Sequence, residues 1–83
     1  MNIILHEHIK IRLIERGVTE EEVRLTVLTG ESYPVQFGRI AFRRNFSFES
    51  IWKGRYFNTK QVEVFAVQEG DSWIGITVIA RYF

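Results

Sequence analysis

The chain has 83 residues, 46% of them hydrophobic and 25% charged, with 11 Lys and Arg against 10 Asp and Glu. That length supports one domain with one small core and excludes a multidomain machine. The absence of Cys removes disulfides, iron–sulfur clusters, thiolate zinc sites and cysteine nucleophiles, and no apolar run approaches the roughly 20 residues of a membrane helix.

In chain order, Asn2 to Leu5 form a short apolar start. From His6 to Arg16 the apolar residues Ile9, Leu13 and Ile14 recur at helical spacing, and Gly17 is suited to the left-handed turn that ends a helix. Thr19-Glu20-Glu21-Glu22 has the order of a capping box and places three acids at the positive end of a second helix. Val23, Val27 and Leu28 continue that helix at helical spacing until Gly30 closes it, with Val18 as its hydrophobic staple. A tight helical hairpin is expected. After Gly30 the apolar period changes from 3.6 to 2, so the remainder reads as sheet. Segments 32–37 and 51–57, the alternating run 40–46, the run 61–67 and the stretch Trp73 to Tyr82 are the predicted strands. Pro34 assigns the first of them to an edge, and Glu69 to Ser72 form the turn of a C-terminal hairpin. Helices first and antiparallel strands afterwards predict an α+β domain, with the helical hairpin laid across one sheet face.

The charge is uneven. Residues 1–30 sum to −1, whereas residues 39–60 carry Arg39, Arg43, Arg44, Lys53, Arg55 and Lys60 against Glu49 alone, a net +5. Phe42, Phe46, Trp52, Tyr56 and Phe57 are interleaved with these cations, a combination that serves phosphate contact and base stacking on nucleic acid. The same pattern also describes a solvated sheet face whose aromatic residues alternate inward, and both readings stand at this point.

His8, Arg12 and Arg16 are spaced i, i+4, i+8 and share one side of the first helix. An imidazole beside two permanent cations is a proton-transfer and phosphate-binding set of the kind that metal-independent RNA cleavage needs. The plainer alternative has Arg16 complementing the helix dipole and Arg12 paired with Glu15 or Glu7. His6-Glu7-His8 has the wrong spacing for two helical metal ligands and lacks a third, so no metal site is expected. No phosphate-loop or nucleophile-elbow pattern is present, and no cofactor is expected. The N-terminus lacks the basic, apolar and small-residue order of a secretion signal, which makes the cytoplasm the expected location.

The string His8-x-x-x-Arg12-x-x-x-Arg16-Gly17-Val18, followed by Thr19-Glu20-Glu21-Glu22-Val23, resembles the opening signature of a small bacterial domain family of unknown function that is grouped with the RelE/ParE-type toxins. Trp52-Lys53-Gly54-x-Tyr56-Phe57-x-Thr59-Lys60-Gln61-Val62-Glu63-Val64 and Ile76-Thr77-Val78 are similar to that family's sheet segments. The resemblance implies a helical hairpin followed by a strongly curved antiparallel sheet, the Barnase/EndoU/colicin/RelE-like fold of toxins that cut messenger RNA on the ribosome and of relatives that poison gyrase. It sets His8, Arg12, Arg16 and Lys60 on motif positions and Thr77 on a strand motif. The expected catalytic set is His8, Arg12 and Lys60. Arg16, Arg39, Arg43, Arg44, Lys53, Trp52 and Tyr56 are expected to bind substrate. The expected partner is RNA, bound to ribosomes or free, or a cognate antitoxin docked on a non-catalytic basic and aromatic sheet. The chain stops at Phe83, without the extension in which many RelE-type nucleases carry a catalytic Tyr or Arg, although Arg81 and Tyr82 lie close to that place.

Overall fold

The computed structural model describes residues 2–83. Its elements are β1 (Asn2–Ile4), α1 (Glu7–Arg16), α2 (Glu20–Thr29), β2 (Glu31–Pro34), β3 (Ile40–Trp52), β4 (Arg55–Glu69) and β5 (Ser72–Tyr82). The five strands form one sheet in the order β1-β5-β4-β3-β2. The α+β class is as expected, but the sheet is mixed rather than antiparallel, because Asn2–Ile4 pairs in parallel with Ser72, Trp73 and Ile74. The helices therefore follow a strand instead of opening the fold. They also pack on the sheet more than on each other, α1 against β5 and α2 against β4 and β3.

Local chemistry sets the helix ends. Gly17 has φ 71°, its N–H donates to the Ile14 carbonyl and the Val18 N–H donates to the Leu13 carbonyl, which is the Schellman pattern that stops α1. In α2 the Thr19 hydroxyl accepts from the Glu22 N–H while the Glu22 carboxylate accepts from the Thr19 N–H, each at 3.0 Å. Val18 and Val23, the staple pair flanking this cap, both lie in the core. Ile9 and Leu13 are buried, but Ile14 is 80% exposed. It stands 100° of helix rotation beyond Leu13, outside the stripe that meets the sheet.

Residues at even positions of β4, Val62, Val64 and Ala66, face the helices together with Phe42 and Val78 and form the core. The segments 40–46 and 51–57 are not separate strands. β3 continues to Trp52 and turns back through Lys53 and Gly54, whose φ angles of 52° and 81° are both positive, as the two-residue turn of a tight hairpin requires. A register shift between Ser47 and Ser50 accommodates Glu49 at φ 44°. No helix among the described residues is long and apolar enough to cross a membrane.

Candidate functional site

A cleft of about 270 Å³ runs between α1 and β5, lined by His8, Ile9, Arg12 and Arg16 from the helix and by Ile76, Thr77 and Val78 from the strand. Its origin is the helical repeat. Steps of four residues advance 40° per step, so the row His8, Arg12, Arg16 drifts from solvent toward the sheet while Ile9 and Leu13 anchor the neighbouring stripe. His8 and Arg12 are accordingly exposed and Arg16 is half-buried. Among the described residues, neither Arg12 nor Arg16 has a carboxylate oxygen within 4.0 Å. The pairing of Arg12 with Glu15 or Glu7 is thus not formed, and both guanidinium groups keep their charge for the cleft.

The strand wall adds backbone donors. Thr59 and Phe83 exchange both backbone hydrogen bonds, and the alternation of an antiparallel ladder then turns the N–H and C=O groups of Val78 and Ala80 away from β4. β1 ends opposite Ile74, so beyond that point this edge of β5 has no strand beside it among the described residues. The His6 ring lies parallel to that of His8, with centroids 6.3 Å apart. The cleft is thus lined by one imidazole, with a second beside it, by two guanidinium groups without a carboxylate partner among the described residues, and by a strand edge with free backbone groups, all able to donate hydrogen bonds to an anion. Among the described residues, no three His, Cys, Asp or Glu side chains group as metal ligands.

The other expected residues do not converge on this cleft. Lys60 belongs to the framework: it is buried, its ammonium donates to the Gly17 carbonyl at 2.8 Å and to the Glu22 carboxylate at 2.9 Å, and it lies over the Phe48 ring. Gly17 is nine residues from His8, about 13 Å along a helix axis, so the ammonium cannot reach a phosphate held at His8. Trp52 is committed to an aromatic cluster, stacked on Tyr82 with centroids 5.0 Å apart. The Tyr82 hydroxyl in turn donates to the Arg16 carbonyl at 2.6 Å. Lys53, in the adjoining turn, lies over the Trp52 ring. Arg44 is on the helix-covered face over Phe46, on a strand that α2 separates from the cleft. Tyr56 pairs with Ile51 on the opposite face near the hairpin tip, where both are exposed.

Arg43 and Arg81 lie on the helix-free face around Glu63. Arg43 is 3.9 Å from Glu31 and its guanidinium lies over Tyr33, while Arg81 and the Tyr33 hydroxyl both donate to the Glu63 carboxylate. Burial pushes the Glu63 carboxyl up, but the hydrogen bonds from Tyr33 and Arg81 and the charges of Arg81 and Arg43 outweigh it and hold the group below the usual carboxylate range. A lowered folded-state pKa contributes stability above the ordinary carboxylate range and loses it as the pH falls through the folded value. Stability curves against pH for the native protein and Glu63→Gln should therefore differ most near neutrality and converge in acid. Parallel curves would show that the network contributes nothing to pH dependence.

Arg39 lies elsewhere again, in a second and larger cavity on the helix-free face with Phe37 and Phe65, residues that composition and spacing did not single out. The cavity joins the β2–β3 loop to the middle of β4 and β5, and no single segment carries a signal for it. His6 has no helical-spacing signal: it is the N-cap of α1, two residues before His8 and outside the stripe His8, Arg12, Arg16.

Fold and site together define a small α+β domain with a mixed five-stranded sheet and a cationic, imidazole-bearing cleft at the open edge of its last strand. Comparison of the chain with family models, with curated proteins and with solved structures gives no match.

Proposed function

We propose that the protein binds RNA in the α1–β5 cleft and cleaves it without a metal ion, in the manner implied by its likeness to RelE/ParE-type toxins. The observation that carries this reading is that His8, Arg12 and Arg16 line one cleft while, among the described residues, neither arginine is paired with a carboxylate. His8 takes the proton of a ribose 2′-hydroxyl and the 2′-oxygen attacks the adjacent phosphorus. The bond from phosphorus to the 5′-oxygen breaks, and that oxygen collects a proton from His6 or from water. The products are a 2′,3′-cyclic phosphate and a free 5′-hydroxyl. Arg12, Arg16 and the Val78 amide offset the charge that builds on the phosphoryl oxygens.

Incubation with single-stranded RNA in a chelating buffer tests the reading. Fragments ending in cyclic phosphate are expected, with the rate for His8→Ala lower by about 10²–10⁴-fold, the usual contribution of a positioned acid or base. Intact RNA with the native protein, or unchanged cleavage by His8→Ala, overturns it. The open β5 edge at Val78 and Ala80 favours a second reading, in which an acidic extended segment of a protein partner such as an antitoxin adds as a strand beside the same cations. That complex would form without RNA and persist in His8→Ala.

A further inference from the structure

The helix-free face holds a cavity of about 440 Å³ lined by Val35, Gln36, Phe37, Arg39, Phe65 and Thr77. Phe37 carries two costs at once. Its side chain is 83% exposed, and its backbone sits at φ 63°, a conformation unfavourable for a bulky residue. The turn therefore has two successive left-handed residues, Phe37 and Gly38 at φ 68°, and only the second is a glycine. The Arg39 guanidinium lies 5.9 Å from the Phe37 ring centroid and has no carboxylate partner among the described residues. Among the described residues, no acid lines the cavity. Thr77 lines both this cavity and the α1–β5 cleft, so the two meet across a single strand.

We propose that this cavity is a nucleobase subsite: an unpaired base of an RNA strand that crosses β5 from the cleft stacks on Phe37, above a floor formed by Phe65, and a flanking phosphate meets Arg39. The inference rests on the RNA-binding function proposed for the cleft. A flat ring held in the open beside an unneutralised guanidinium suits a base and its phosphate, because every base presents a π-face and brings a negative charge with it. The amide of Gln36 supplies both a donor and an acceptor for the edge of the base.

The test uses the full chain and a fluorescent hexaribonucleotide with 2′-O-methyl groups, which cannot be cleaved through the 2′-oxygen, beside a matched oligonucleotide lacking its bases. The native protein is expected to bind the base-bearing strand more tightly. Phe37→Gly should weaken that binding about tenfold, in line with base–aromatic stacking energies, and Phe37→Tyr should restore it. Binding of the strand without bases should not change. Because Phe37 is exposed and glycine relieves its backbone, melting temperature should hold in Phe37→Gly. Native binding that Phe37→Gly leaves intact, or an equal loss on the strand without bases, overturns the subsite alone. Native protein with no affinity for either strand overturns the RNA function as well.

Discussion

Replacing Lys60 by alanine is expected to destabilise the protein by about 3–5 kcal/mol, the usual cost of removing one partner from a buried ion pair. Lys60 and Glu22 are 8% and 19% exposed at their side chains, so water only partly replaces the lost contact. Three bonds meet at this point. The ammonium ties the Gly17 carbonyl, at the end of α1, to the Glu22 carboxylate, at the start of α2, and the same carboxylate closes the capping box on Thr19. A domain of this size has a total stability on the order of 4–12 kcal/mol, so the alanine variant should lose at least about a quarter of it and melt at least roughly 12 °C lower. Lys60→Met, which keeps the side-chain stem against Phe48, should lose less. Arg12→Ala, at an exposed position, should stay within about 0.5 kcal/mol of the native protein. Thermal and denaturant melts followed by circular dichroism measure all three. A Lys60→Ala protein within 1 kcal/mol of native would show that the ammonium is not part of the framework.

Gly17→Ala should be nearly as damaging, for a different reason. The residue stands at φ 71°, and a Cβ there would lie 2.6 Å from Trp52 Cζ3 and 2.7 Å from the Tyr82 hydroxyl oxygen. Left-handed backbone costs a non-glycine residue about 1–2 kcal/mol, and forcing apart a packed aromatic pair adds about 1–3 kcal/mol. At roughly 4–8 °C per kcal/mol, a drop of at least about 8 °C in Tm follows. Gly38→Ala isolates the first cost, because Gly38 has φ 68° and, among the described residues, no atom other than those of its chain neighbours within 4 Å of its Cβ position. If the two alanine variants melt together, the packing of Trp52 and Tyr82 on the end of α1 contributes nothing.

The helix boundaries were legible because their signals are local: a capping box spans four residues and a Schellman turn six. The cleft's helical wall was legible for the same reason, as three polar residues four apart declare a shared face. What escaped depended on residues far apart in the chain. Asn2–Ile4 is too short to show a period, and its parallel partner lies about seventy residues on. Lys53-Gly54 is not the Asn-Gly that marks a tight hairpin, so in the sequence one long strand pair looks like three segments, 40–46, 51–57 and 61–67, with the turn hidden inside the second. The burial of Lys60 had a signal, since it shares parity with Val62, Val64 and Ala66 on the helix-covered face. Reading that signal required knowing that Glu22, thirty-eight residues earlier, would meet it there. The basic run from Arg39 to Lys60 looked like one surface because it is contiguous in sequence. Strand alternation, a register shift and a hairpin turn distribute it over both faces and the tip.

The pairing of the first strand with the last has a consequence during synthesis. A nascent chain can form both helices and the β3–β4 ribbon, but it has no cleft until β5 has emerged, because β5 supplies one wall and the register on which β1 docks. Closing so long a loop is among the slowest steps in assembling a small domain. The row His8, Arg12, Arg16 therefore has no second wall until β5 has emerged, and a polypeptide interrupted before Ser72 lacks the cleft.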